Sequence, residues 1–262
     1  MVKQADVYQH FRKNEAPFVA QVLDWIEQAQ VEYRPILTAF LDPRQAFILQ
    51  TLVGEKGDIR YHFNGGYNAA ERKRAIIAPD YFEPTDMDFE IQLFEIRYPV
   101  KFANLSHGKV LGTLVNAGID RDVFGDIMTD GERWQFLVTE QMADYVEEQI
   151  TKISRVTVHL QEQAYTQLLT PKDAWQFEQT TVSSFRLDTI IATVYNLSRQ
   201  RAKELIQANK VKLNWQVFDK PDFELALLDI VSIRGFGRIQ LQSIDGQTRK
   251  EKYRVTLGIL RK

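Results

Sequence analysis

One ten-residue run constrains this chain more than any other: Leu197-Ser198-Arg199-Gln200-Arg201-Ala202-Lys203-Glu204-Leu205-Ile206. Ser198 is placed to cap a helix, because its hydroxyl accepts an orphan backbone N–H. Ala202, Leu205 and Ile206 then form a buried stripe, and Arg199 and Lys203, four apart, share the opposite face. A helix precedes it over Arg186 to Tyr195, with Leu187, Ile190, Ile191 and Val194 inward. Lys210 and Lys212 follow where the chain enters a strand, Asn214 marks a turn, and Asp229 to Arg238 is a second, glycine-marked strand. A rigid helix pair with a basic face suits folded RNA. Its phosphates are gripped by Lys and Arg, and its duplex regions are read by shape and backbone. The expected contacts are Arg186, Arg199, Arg201, Lys203, Lys210, Lys212, Asn214, Arg234 and Arg238.

The charge distribution points the same way. Net charge is −2 over 262 residues, yet residues 183–262 hold 15 Lys/Arg against 8 Asp/Glu, while residues 1–182 hold 18 against 27. A basic module on an acidic body implies a polyanionic partner. The chain has no cysteine, which excludes a disulfide framework, a thiolate zinc site and a cysteine nucleophile, and fits a reducing, cytoplasmic setting. His10, His62, His107 and His159 are scattered singly, so no metal site is expected. No apolar run approaches the roughly 18 to 20 residues of a membrane span. Met1 to Asp6 lacks the basic start and apolar core of a signal peptide.

Ahead of the module, residues 1–80 read as a mainly helical domain. Phe18, Val19, Val22, Leu23, Ile26 and Ala29 form a helical stripe, and Asp42-Pro43 opens another helix. Ile59 to Phe63 reads as a strand, Gly65-Gly66 as a turn, and Ala69 to Ala75 as a short basic helix. Residues 81–165 alternate differently. Strands are expected at Phe89 to Tyr98, Asp126 to Met128, Trp134 to Thr139 and Arg155 to Gln161, and helices at Leu105 to Ala117 and Gln141 to Ile153. That order, β-α-β-β-α-β, is the ferredoxin-like topology that RNA-recognition folds also use. The aromatic stacking motif of such domains is missing, so topology alone does not make this sheet an RNA platform. Residues 166–182 read as a linker with Trp175 and Phe177 as aromatic anchors. The expected fold class is therefore multi-domain α+β: a helical or mixed N-terminal region, a ferredoxin-like middle domain, and a small αβ RNA-binding module over 183–262.

Two resemblances sharpen this. Arg186-Leu187-Asp188, Leu197-Ser198-Arg199, Ala202, Leu205-Ile206, Val211, Asn214, Asp229 and Ser232-Ile233-Arg234-Gly235 with Gly237 resemble the RNA-binding domain named after ribosomal protein S-four. Lys210 and Trp215 stand where many members carry glycine. Farther upstream, Phe40 to Gln45, Phe63 to Arg74, His107 to Gly112 and Gly118 to Ile127 resemble the bacterial YlmH family over essentially the full length. That family resemblance implies a cytoplasmic protein associated with the large ribosomal subunit carrying peptidyl-tRNA, with its rRNA and tRNA as partners, in rescue of stalled translation. It also implies a link to cell-division proteins through genetic neighbourhood. It raises Arg72, Lys73, Arg74, His107 and Arg121 as a second RNA surface.

No cofactor is expected, since neither a Walker loop nor a GxGxxG after a strand occurs. An RNA-modifying enzyme is one rival, because pseudouridine synthases use the Asp of an Arg-Leu-Asp motif. Here that motif opens the basic module itself, where Asp188 is expected to cap or pair locally. A cell-division adaptor is the other.

Overall fold

The computed structural model describes residues 11–54, 57–169, 175–214 and 216–261, with only the backbone of Gln216. The readings of Met1 to Asp6 and Trp215, and residues 170–174 of the expected linker, lie outside these. The chain divides into two compact units, Met1–Lys172 and Asp173–Lys262.

The first unit opens with α1 (Ala16–Glu32), which buries Val19, Val22 and Ala29 and ends at Tyr33 in the left-handed region. After β1 (Ile36–Leu37) comes α2 (Pro43–Val53). Its capping box is closed from both sides: the Asp42 carboxylate accepts from the Gln45 amide and the Gln45 side chain accepts from the Asp42 amide, each at 2.9 Å. Strands β2 (Ile59–Asn64) and β3 (Arg74–Pro79) complete a three-stranded antiparallel sheet in the order β1-β3-β2. Two expectations are corrected here. The region is mixed rather than mainly helical, and the stretch Ala69 to Ala75 is not a helix. Asn64 pairs with Arg74, so residues 65–73 form the loop of a hairpin whose second strand is wholly buried. Gly65 fits because a Cβ there would lie 2.4 Å from the Arg72 carbonyl.

Continuing in the same unit, the chain runs through β4 (Ile91–Arg97), α3 (His107–Asn116), β5 (Phe124–Thr129), β6 (Trp134–Thr139), α4 (Ala143–Gln149), the ribbon β7 (Lys152–Ile153) and β8 (Val156–Thr157), and β9 (His159–Gln163). The four main strands pair antiparallel in the order β5-β6-β4-β9, the expected ferredoxin-like arrangement. Helix α4 is shorter than its sequence pattern suggests, because Ile150 leaves the helix (φ −94°, ψ 77°) and joins Ile153 in the core. One sheet face packs Phe94, Phe136 and Val138 against Val110, Leu114 and Val146 of the two helices. The other face is covered too: Leu93, Met128 and Leu137 pack on Phe40 and Leu169. A Cβ on Gly125 would meet the Phe40 ring at 2.8 Å, so glycine permits this close approach. Burying Phe40 and Leu137 contributes on the order of 1.5–3 kcal/mol each.

The second unit holds β10 (Gln176–Val182), α5 (Leu187–Val194), α6 (Arg199–Gln207), β11 (Val211–Leu213), β12 (Gln216–Val217), β13 (Ile230–Ile233), β14 (Gly237–Gln247) and β15 (Tyr253–Arg261). The strands form one sheet ordered β10-β15-β14-β13-β11-β12, with both helices packed through Leu187, Ile190, Ile191, Ala202, Leu205 and Ile206 on Val211, Val231, Ile239 and Leu257. The linker reading of residues 166–182 is corrected at both ends. Leu168 and Leu169 pack in the first unit, and residues 176–182 form β10, paired along its whole length with β15.

Candidate nucleic-acid interface

The start of α5 is stitched to the segment before β13: the Leu187 amide donates to the Phe223 carbonyl at 2.8 Å and the Asp188 amide to the Pro221 carbonyl at 3.0 Å. This fixes Asp188, whose side chain is fully buried, behind two arginines. Arg186 grips its carboxylate with two parallel bonds, Nε at 3.1 Å and Nη2 at 3.0 Å. Arg199, at the first position of α6, brings Nη2 to 3.4 Å from both Asp188 oxygens while its side chain stays 55% exposed. Burial pushes the Asp188 carboxyl up, but the Arg186 hydrogen bond and the charges of Arg199 and Arg186 outweigh it and hold it below the usual carboxylate value. One buried carboxylate thus holds two guanidiniums in place at the surface, where the exposed Asp222 and Glu224 also act on Arg186. Ser198 caps α6 as expected, accepting from the Arg201 amide at 3.1 Å.

The remaining expected contacts divide among three places. Arg201 is exposed and pairs with Glu204 at 2.9 Å, while Lys203, one turn beyond Arg199, is half-buried. At the end of the strands the Arg234 amide donates to the Lys210 carbonyl at 2.9 Å, and both residues are exposed. Lys212 pairs with Ser232, which pairs with Arg238. Their neighbours Val211, Leu213, Val231 and Ile239 face the helices, so Lys212 and Arg238 lie on the outer sheet face, with the Arg238 guanidinium 5.5 Å from the Trp175 ring centre. Asn214 is spent inside the fold. Its Nδ2 donates to buried Asp229 at 3.0 Å, its Oδ1 accepts from the Ile230 amide at 2.9 Å, and it sits at φ +45°. Gly237 makes a close backbone approach: at φ +128°, a Cβ would lie 2.0 Å from the Leu260 carbonyl oxygen.

The second expected surface is not brought together. Arg72 and Arg74 are buried, and their guanidiniums donate to carbonyls: Arg72 to Phe124 and Phe40 at 3.0 and 2.7 Å, Arg74 to Thr38, Phe89 and Glu90 at 2.7–2.8 Å. Arg121 donates to the carbonyls of Phe124 and Gly125 at 2.6 and 3.2 Å. Burial, with the nearby Arg72 charge, pushes it down to about 10, still charged at neutral pH. Asp126 completes this seam, accepting from the Tyr67 hydroxyl and the Glu71 and Arg72 amides at 2.7–3.1 Å. These residues join the two halves of the first unit rather than face solvent. The half-buried Lys73 exchanges backbone bonds with Leu41. His107 is exposed on α3, which starts from the Arg97 end of the sheet, whereas Arg121 precedes β5 at the Ile91 end.

Comparison with known proteins follows this architecture. Residues 14–82 match the family model "YlmH, N-terminal", residues 84–167 match "Putative RNA-binding domain in YlmH", and residues 185–231 match the S4 domain. The chain is 42% identical over 252 residues to "Ribosome-associated protein quality control protein P2" of Bacillus subtilis (strain 168), covering 96% of this chain and 98% of that protein. A solved structure named "Cell division protein ylmH from Streptococcus pneumoniae" is 37% identical with a TM-score of 0.54, covering 62% of this chain and 99% of that one. The fold, the matched segments and full-length identity at this level agree: the chain belongs to the YlmH family, with an S-four-type module at its C-terminal end.

Proposed function

We propose that this protein binds structured RNA of the large ribosomal subunit through its C-terminal module, acting in rescue or quality control of stalled translation, with tRNA or peptidyl-tRNA as a further RNA partner. The observation that carries the reading is the Asp188-held pair Arg186 and Arg199, at the mouth of a helix pair in the basic part of the chain. A guanidinium fixed before binding loses less freedom on meeting a phosphate. The mode of action is stabilisation: phosphate contacts hold a stalled complex in one conformation. No residue is assigned a catalytic role and no cofactor is invoked. The Asp of the Arg-Leu-Asp motif is fully buried with both oxygens engaged, which speaks against its use as a base on a nucleotide.

Crosslinking in cells, followed by sequencing of the bound RNA, tests this with an Arg199→Ala/Lys203→Ala variant alongside. The reading expects discrete large-subunit rRNA and tRNA peaks that the variant loses. Binding without rRNA peaks that survives nuclease and high salt would instead indicate a protein partner, the alternative that the name of the pneumococcal relative suggests.

A further inference from the structure

The middle domain carries a second cationic surface that the sequence reading did not find. Three connections leave the same end of its sheet. Ile96 pairs with Trp134 and Arg97 with His159, so the β4–α3 loop, the β5–β6 turn and the run into β9 lie together. At this end Glu95, its side chain 2% exposed, holds Arg97 and Arg133, each at 2.5 Å, while those side chains remain 53% and 40% exposed. The device matches Asp188 with its two arginines: a buried carboxylate presenting a guanidinium pair. The adjoining loop exposes Lys101 and Phe102, the ring being 90% exposed, and Lys109 and the β7–β8 ribbon's Lys152 and Arg155 are exposed as well. Residues 98–119 and 149–161 contain no Asp or Glu, although the first 182 residues are acidic overall. The opposing charges are Asp130 and Glu132 in the β5–β6 turn and the exposed Glu147 and Glu148 at the end of α4, and the Asp130 carboxylate is turned onto the Glu132 and Arg133 amides at 3.0 and 2.8 Å.

We infer that this loop edge is an RNA-binding surface, with Phe102 stacking on an unpaired base and the flanking cations on its phosphates. The inference rests on the ribosomal RNA reading above and adds where the middle domain meets that RNA. The helix-opposed sheet face, which RNA-recognition folds use, is largely closed by Phe40 and Leu169. A lone exposed ring among cations suits a base, since stacking needs one π-face and the backbone needs positive charge. A protein-docking patch would instead show a larger contiguous apolar area than Phe102 and the 44% exposed Val100 supply.

The test uses the full-length protein and purified large ribosomal subunits. Ultraviolet crosslinking and mass spectrometry of nucleotide–peptide adducts locate the contacts, and affinity is measured for Lys101→Ala/Phe102→Ala, for Lys109→Ala/Lys152→Ala/Arg155→Ala, and for Arg199→Ala/Lys203→Ala. All five edge residues are exposed, so their removal leaves folding intact, checked by unchanged thermal melting. The expected result is adducts on the peptide carrying Phe102 and about 5- to 30-fold weaker binding for each edge variant. Adducts confined to residues 183–262, with full affinity in both edge variants, would overturn the inference while leaving the ribosomal reading standing. Full affinity in all three variants would remove that reading as well.

Discussion

Arg199 lies 3.4 Å from both carboxylate oxygens of Asp188, eleven positions earlier and fully buried, while more than half of its own side chain is open to solvent. Positioning and presentation are therefore divided between two residues. The aspartate is inaccessible and fixes direction; the arginine is accessible and carries the charge. Arg186 grips the same carboxylate with two bonds of its own.

Replacing Asp188 with Ala removes the shared acceptor and leaves two guanidiniums repelling each other. Because both arginines reach water, the expected stability loss is moderate, about 1–2 kcal/mol in urea unfolding. RNA affinity should fall although the surface gains positive charge. Stronger binding would contradict the positioning role.

Protonation of Asp188 has a definite sign. Its pKa in the folded protein lies below the ordinary value of 3.8, so the unfolded chain binds the proton more readily. The stabilisation is fully present above that ordinary value and is lost as pH falls through the depressed one. Unfolding of the Asp188→Asn variant, followed between about pH 6 and pH 3, should therefore show a shallower acid-side decline than the parent. Parallel curves would mean the carboxylate contributes nothing.

Asp126 ties the two halves of the first unit together through three donors, two of them backbone amides. Asp126→Ala strands those amides, at a cost of roughly 2–4 kcal/mol. Hydrogen exchange should show the loss in residues 11–169 and leave the protection of α5, α6 and β13 unchanged. Equal loss in both units would contradict the two-unit division.

Gly237→Ala is expected to be among the most damaging single changes in the second unit. The new Cβ would meet a backbone carbonyl at 2.0 Å, and φ +128° is unfavourable for any side chain. A loss of more than about 3 kcal/mol is expected, visible as reduced amide protection along β14 and β15. Gly235→Ala, with open space around it at φ +91°, should lose clearly less.

The helix caps and the β-α-β-β-α-β order could be read from sequence because they depend on local chemistry: Asp42-Pro43, Ser198 and the alternation of Val156, Val158 and Leu160. The second surface misled for the opposite reason. A run such as Arg72-Lys73-Arg74 looks solvated, and only distant carbonyls, those of Phe40, Phe124 and Phe89, reveal that two of its members are buried. Asn214 misled similarly, since its partner Asp229 is fifteen residues away. β10 resembled a linker because an edge strand with most residues exposed has little apolar content to betray it. The loop edge around Phe102 did leave a trace, the absence of any carboxylate over residues 98–119, but its meaning depends on the sheet register that gathers the three connections.

The central claim is that the C-terminal helix pair meets RNA phosphates, and the salt dependence of binding to purified large ribosomal subunits tests it most directly. Comparing the parent with Arg199→Ala/Lys203→Ala, the account predicts weaker binding and a log–log salt slope shallower by about one to two. An unchanged slope and affinity would place the RNA contact elsewhere and contradict it.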